Sequence, residues 1–142
     1  MNRIFIIILS LIITFFSTIN PFSTYVNYNN LFYGDIEYQF REEYLLVESN
    51  MYNDYLLYYD TIDSIEYREG NVPGLRVGGY GSFRLLMGWF ENEEFGTYVR
   101  YTYYKPESCI VLTANGQSVV LSRKTAEETH ALYKLLQQHI SK

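Results

Sequence analysis

Three features of this chain predict a mainly β domain closed by one C-terminal α-helix, behind an N-terminal hydrophobic helix. Short Tyr- and Val-rich segments follow one another from about Asp35 to Ser122, separated by turns bearing Gly, Asn or acidic residues. One stretch of helical periodicity follows Thr125 and ends the pattern. All 16 tyrosines fall at Tyr25 or later, and tyrosine favours pleated, half-buried surfaces. Many strands followed by a single helix make a small barrel or sandwich capped by that helix.

With 142 residues there is room for one domain and a leader. Residues 1–22 read as a hydrophobic membrane anchor or signal segment. Arg3 precedes an uncharged apolar and hydroxyl run from Ile4 to Ile19, ended by Asn20-Pro21. Those sixteen residues would rise about 24 Å as a helix, and counting on to Phe22 reaches across a thinned bilayer. Small residues at the positions a signal peptidase requires are hard to place between Phe15 and Phe22, which favours an uncleaved anchor. The next base after Arg3 is Arg41, so positive-inside reasoning puts the body outside the cytoplasm. A cleaved leader would make the protein periplasmic or secreted. Residues 23–34 are polar and Asn-rich and read as a linker, leaving 35–142 as the folded domain.

Within the body, Asp35 to Arg41 alternates apolar and polar, as a strand with one wet face does. Glu42-Glu43 turns the chain into Tyr44 to Glu48. Tyr55–Tyr59 and Ile62–Tyr67 are the next two strands, with Asp60-Thr61 between them. Glu69 to Gly74, with Gly-Asn and Pro-Gly pairs, is a loop. Strand character resumes from Phe83 to Phe90, passes an acidic turn at Glu91 to Gly96, and alternates again from Thr97 to Tyr103. Ser108–Thr113 and Ser118–Ser122 flank Asn115-Gly116, a hairpin signal because both turn residues need positive φ. Thr125 to Glu128 fits a capping box, with Ser122 as another N-cap option. Thr129, Leu132, Tyr133, Leu136 and Ile140 recur on one helical face, which should pack on the open end of the barrel.

Formal charge is −5, and Arg3 is the only base in the leader. An acidic body with scattered Lys and Arg argues against nucleic acid, whose backbone requires clustered bases. It argues likewise against tight electrostatic attachment to anionic lipid. Cys109 is the only cysteine and sits in an apolar strand, where a small buried hydrophobe is the simplest reading. His130 and His139 are nine apart, and no metal site or cofactor follows from them. No serine stands in a nucleophile turn, so the chain reads as non-catalytic.

The ordered pieces resemble the pleckstrin-homology-like (PH-like) domains of bacteria. The resemblance is carried by Tyr59 to Ile65, by Arg76-x-Gly78-x-x-Gly81, and by Gly88-Trp89-Phe90. Gly96-Thr97-Tyr98, the Ile110-Val111-Leu112 hairpin and Leu121-Ser122 before the helix complete it. It implies a seven-stranded, strongly bent sheet or barrel closed at one end by the helix, over about Asp35 to Ile140. Lipid-binding members hold phosphoinositides with a basic first hairpin. The corresponding turn here is Arg41-Glu42-Glu43, net acidic, so phosphoinositide binding is not expected.

Arg76, Tyr80, Arg84 and Trp89 gather around the glycine run and are the candidate ligand or partner residues, mixing guanidinium with aromatic faces. The competing reading is a core tryptophan with two solvated or salt-bridged arginines near Glu91, Glu93 and Glu94. Gly78-Gly79-Tyr80-Gly81 lacks the Gly-Lys-Ser/Thr ending of a phosphate loop and reads as glycine at bends or bulges of a curved sheet. The function expected is a non-catalytic binding or interaction module at a bacterial membrane that captures protein or peptide. Capture would occur by strand addition at an open edge or in the groove beside the helix. The alternative is a β-barrel carrier of a small apolar ligand, which requires an aromatic-lined cavity.

Overall fold

A computed structural model describes residues 34–141. The expected anchor or signal over residues 1–22 and nearly all of the linker lie outside the described residues. Among the described residues, no helix is long and apolar enough to cross a membrane.

Nine strands and one helix occur in the described chain. The strands are β1 (Ile36–Phe40), β2 (Tyr44–Ser49), β3 (Tyr55–Tyr58), β4 (Ile62–Glu69), β5 (Leu75–Gly81), β6 (Leu85–Asn92), β7 (Gly96–Tyr103), β8 (Ser108–Ala114) and β9 (Gln117–Leu121). A 3-10 turn, Tyr59–Thr61, joins β3 to β4, and helix α1 covers Ala126–Ile140. The first three strands form one antiparallel sheet, β1-β2-β3. The other six form a second sheet in the order β4-β8-β9-β7-β6-β5. Strand β9 inserts between β8 and β7 and so runs parallel to β7, with Val99 beside Val119.

Two expectations are corrected here. The strands do not close into a barrel, and nine are present where seven were implied. Side chains, in place of a backbone ladder, tie β1 to the segment that follows β9. The Tyr38 hydroxyl reaches the Ser122 carbonyl at 2.9 Å, and Arg123 Nη1 donates to the Ile36 carbonyl at 2.9 Å. Eight of the nine follow strand segments read from the sequence, and the ninth is β5, which carries the glycine run.

Between the two sheets lies the main core. Ile36, Leu45, Val47 and Leu57 from the small sheet meet Met87, Tyr101, Ile110, Leu112 and Leu121 from the large one. Leu132 and Leu136 of α1 join the same cluster, and Tyr133 and Ile140 pack at its margin. Removing this much apolar surface from water is the main term that favours the fold. A second cluster sits on the other face of the large sheet and contains Val72, Phe90, Tyr98, Cys109, Val111 and Val120. Strand β8 is therefore buried on both faces, which is why it reads as an unbroken apolar run. Cys109 is buried there, and burial pushes its thiol pKa up, as suits an inert hydrophobe.

Asn115 and Gly116 both adopt positive φ, 49° and 74°, as the Asn-Gly hairpin requires. Thr125 caps α1 by accepting from the Glu128 amide at 3.2 Å. The reciprocal arm of the box lands one residue early, on the Lys124 amide. Ser122 is not a cap, because its buried hydroxyl accepts from the Tyr103 amide.

Candidate functional site

Among the described residues, two open sheets leave four edge strands, and three of them are protected. Strand β4 exposes Asp63, Ser64, Glu66 and Glu69. Strand β3 has four residues, too short to template another chain. Strand β1 is crossed by Arg123 at the Ile36 carbonyl. Strand β5 is seven residues long, carries Arg76 as its only charge, and exposes Leu75 at 73% and Val77 at 60%. An edge of that length with outward apolar side chains is one that proteins ordinarily blunt.

The ladder between β5 and β6 explains the glycines. Its register shifts between Arg76 and Gly78, a bulge that leaves Val77 as the extra residue. Gly79 faces Gly88, and both hold φ near 113°. A Cβ on Gly79 would stand 2.2 Å from the Met87 carbonyl oxygen, and one on Gly88 2.6 Å from that of Gly78. The two backbones thus approach as only glycine allows. Reading the glycines as a bend or bulge agrees with this geometry.

The four sequence candidates are not brought into one pocket. Trp89 lies opposite Gly78 and is 44% exposed, so the core-tryptophan reading is set aside. Tyr80 pairs with Met87 on the same face and packs against the main core. Arg76 pairs with Phe90 across the ladder, and its guanidinium folds back to donate to the Gly79 carbonyl at 3.2 Å. Arg84 sits beyond the far end of β5, in the turn to β6, where its Nε donates to the Gly34 carbonyl at 2.6 Å. Neither arginine forms a salt bridge with Glu91, Glu93 or Glu94. Glu94 pairs instead with Arg68 at 2.6 Å.

Leu75 and Val77 were not singled out from the sequence because glycines in the following positions hide the strand alternation. Next to Leu75 a groove of about 670 Å³ opens to solvent, lined also by Pro73, Glu91, Glu93, Glu94 and Thr97. Behind this groove lies Arg100, a charged residue of β7 that is only 1% exposed. Arg100 donates to the Val72 carbonyl at 2.7 Å, to Asn71 Oδ1 at 2.6 Å and to Thr102 Oγ1 at 2.6 Å. Its guanidinium carbon lies 5.4 Å from the centre of the Phe90 ring. Residues 70–74, which lead into β5, are thereby pinned over the sheet.

Among the described residues, no group of three or more His, Cys, Asp or Glu is arranged to hold a metal. Strand β5 presents backbone hydrogen-bonding groups along an edge beside the exposed side chains of Leu75, Val77 and Trp89.

An open pair of bent sheets with a C-terminal helix on the core defines a small helix-capped β domain. More closely, residues 36–139 match the family model of the bacterial PH domain, and the chain belongs to that family. No curated protein and no solved structure matches it.

Proposed function

We propose that this bacterial PH domain is a non-catalytic interaction module that captures an extended protein or peptide segment by strand addition along β5. The observation that carries the reading is an edge with no partner strand among the described residues: Leu75 and Val77 exposed on a terminal strand, with Trp89 exposed one strand in. An added strand would gain main-chain hydrogen bonds, and its alternate side chains would rest on these three. The expected anchor at residues 4–22 would hold the module at a bacterial membrane with its body outside the cytoplasm. The carrier alternative is less well supported. Tightly buried Ile36, Leu45, Leu57, Leu85, Met87 and Leu112 occupy the space between the sheets.

The test is a selection of short random peptides displayed against the intact protein, followed by binding to the Leu75→Lys/Val77→Lys variant. Selected extended peptides should bind the parent and lose at least about tenfold in affinity to the variant, a loss of about 1.4 kcal/mol. Peptides that bind both forms equally would place recognition elsewhere.

A further inference from the structure

Strand β6 divides its side chains between the two faces of the large sheet. Met87 lies opposite Tyr101, and both belong to the main core, whereas Phe90 lies opposite Tyr98 in the second cluster. Trp89 pairs with Val99, a residue of the main core, so the indole is on the core face. Glu91, two residues further along β6, shares that face. So does Leu75, its partner across the β5–β6 ladder. At this end of β6 the core face is open to solvent, and Leu75, Trp89 and Glu91 are all exposed. The opening continues into the groove beside Leu75, whose wall includes Glu91, Glu93 and Thr97.

Neither Glu91 nor Glu93 forms an ion pair among the described residues. The arginines of the neighbouring strands are engaged elsewhere. Arg68 is shared by Glu66 and Glu94. Arg76 lies opposite Phe90, on the other face, and donates to the Gly79 carbonyl. Arg100 is buried and spends its donors on Val72, Asn71 and Thr102. An open indole and an unpaired carboxylate, about 6.8 Å apart along one strand face, together suit one cation. The ring attracts it from one side and the carboxylate from the other.

The spacing selects the length of the side chain that brings this cation. A strand added to β5 would lie two strand spacings, about 9.6 Å, from β6. Gly78 stands between that strand and Trp89, and a Cβ built on it would meet nothing within 4 Å. A long stem can therefore cross β5 over Gly78 and set its charged head on the indole, where a short side chain falls short. Arginine fits best, because its plane stacks on a ring while its fork takes a carboxylate.

We propose that the segment captured at β5 is basic: one arginine, or less tightly one lysine, crosses Gly78 to lie between Trp89 and Glu91. An apolar residue two positions away, on the same face of the segment, rests on Leu75. Glu93 and the formal charge of −5 add longer-range attraction. The basic segment is a sharper form of the extended segment proposed above and rests on that reading.

The test runs one display selection of random peptides on two proteins, the full chain and its Glu91→Gln variant. Peptides from the full chain should carry Arg or Lys two positions from an apolar residue, and those from the variant should not. For a peptide so obtained, replacing its arginine by glutamine should weaken binding to the full chain about tenfold. On the variant the same replacement should cost less than about twofold. Sedimentation of the full chain without peptide completes the experiment. The proposal is overturned if the selected peptides are acidic or show no basic preference, or if the replacement costs the same on both proteins. It is overturned as well if a second copy fills the edge, seen as a dimer that Leu75→Lys/Val77→Lys dissociates. Uncharged peptides that still depend on Leu75 and Val77 would remove the basic preference and leave strand capture standing. Peptides indifferent to Leu75→Lys/Val77→Lys would remove both.

Discussion

Trp89 stands opposite Gly78 across the β5–β6 ladder, with 44% of its surface open to solvent. The missing side chain on the edge strand leaves one flank of the indole uncovered, so the ring is available to a partner. Truncating a core tryptophan costs about 3–5 kcal/mol. Trp89→Ala should cost about 1 kcal/mol in urea unfolding while weakening the binding of selected peptides at least tenfold. A loss of core size would return the residue to a packing role.

Gly79 and Gly88 should tolerate no side chain. Gly79→Ala must hold φ near 113° and place a methyl 2.2 Å from a backbone oxygen, so the strand itself has to move. Each alanine variant should lose roughly 2–3 kcal/mol. At Gly70, where nothing lies within 4 Å, alanine should cost less, since φ strain acts alone. Equilibrium denaturation of the three variants checks that order.

Arg100 has no carboxylate partner among the described residues, so its buried charge rests on neutral acceptors and the Phe90 ring. Replacing buried charge by apolar volume is often nearly neutral, whereas a cavity costs about 2–4 kcal/mol. Arg100→Met should therefore keep global stability within about 1 kcal/mol, and Arg100→Ala should not. Both should speed amide exchange at Asn71, Val72 and Gly74. Equal losses in the two variants would show that the hydrogen bonds, rather than the filled volume, hold this loop.

Alkaline pH should unfold the domain. Burial raises the phenol pKa of Tyr101, Tyr38, Tyr55, Tyr59 and Tyr98 above the ordinary 10.0. The unfolded chain then releases these protons at lower pH than the folded one does. Stability is fully present below pH 10.0 and falls as pH rises toward the folded values. Phenolate absorbance should show the exposed tyrosines titrating first and the buried set appearing only with unfolding. A single smooth titration on a folded protein would contradict the burial.

Much of the fold was legible because it rests on local signals. The Asn115-Gly116 turn, the Thr125 cap and the β8 apolar run each have a short-range cause. Strand β5 was hidden because Gly78, Gly79 and Gly81 erase the alternation that marks a strand. The burial of Arg100 was not legible because it depends on Asn71 and Val72 folding over it, a non-local fact. Of the candidate residues, Trp89 lies exposed one strand in from the β5 edge. Its neighbours Leu75 and Val77 become visible only once the edge is known.

The central claim is that β5 accepts another strand. Amide hydrogen exchange of the intact protein, alone and saturated with a selected peptide, tests it most directly. Capture at β5 predicts slowed exchange along Leu75–Gly81 and no comparable change at β4, the other edge of that sheet. Protection confined to α1 and β1, or none at all, would contradict it.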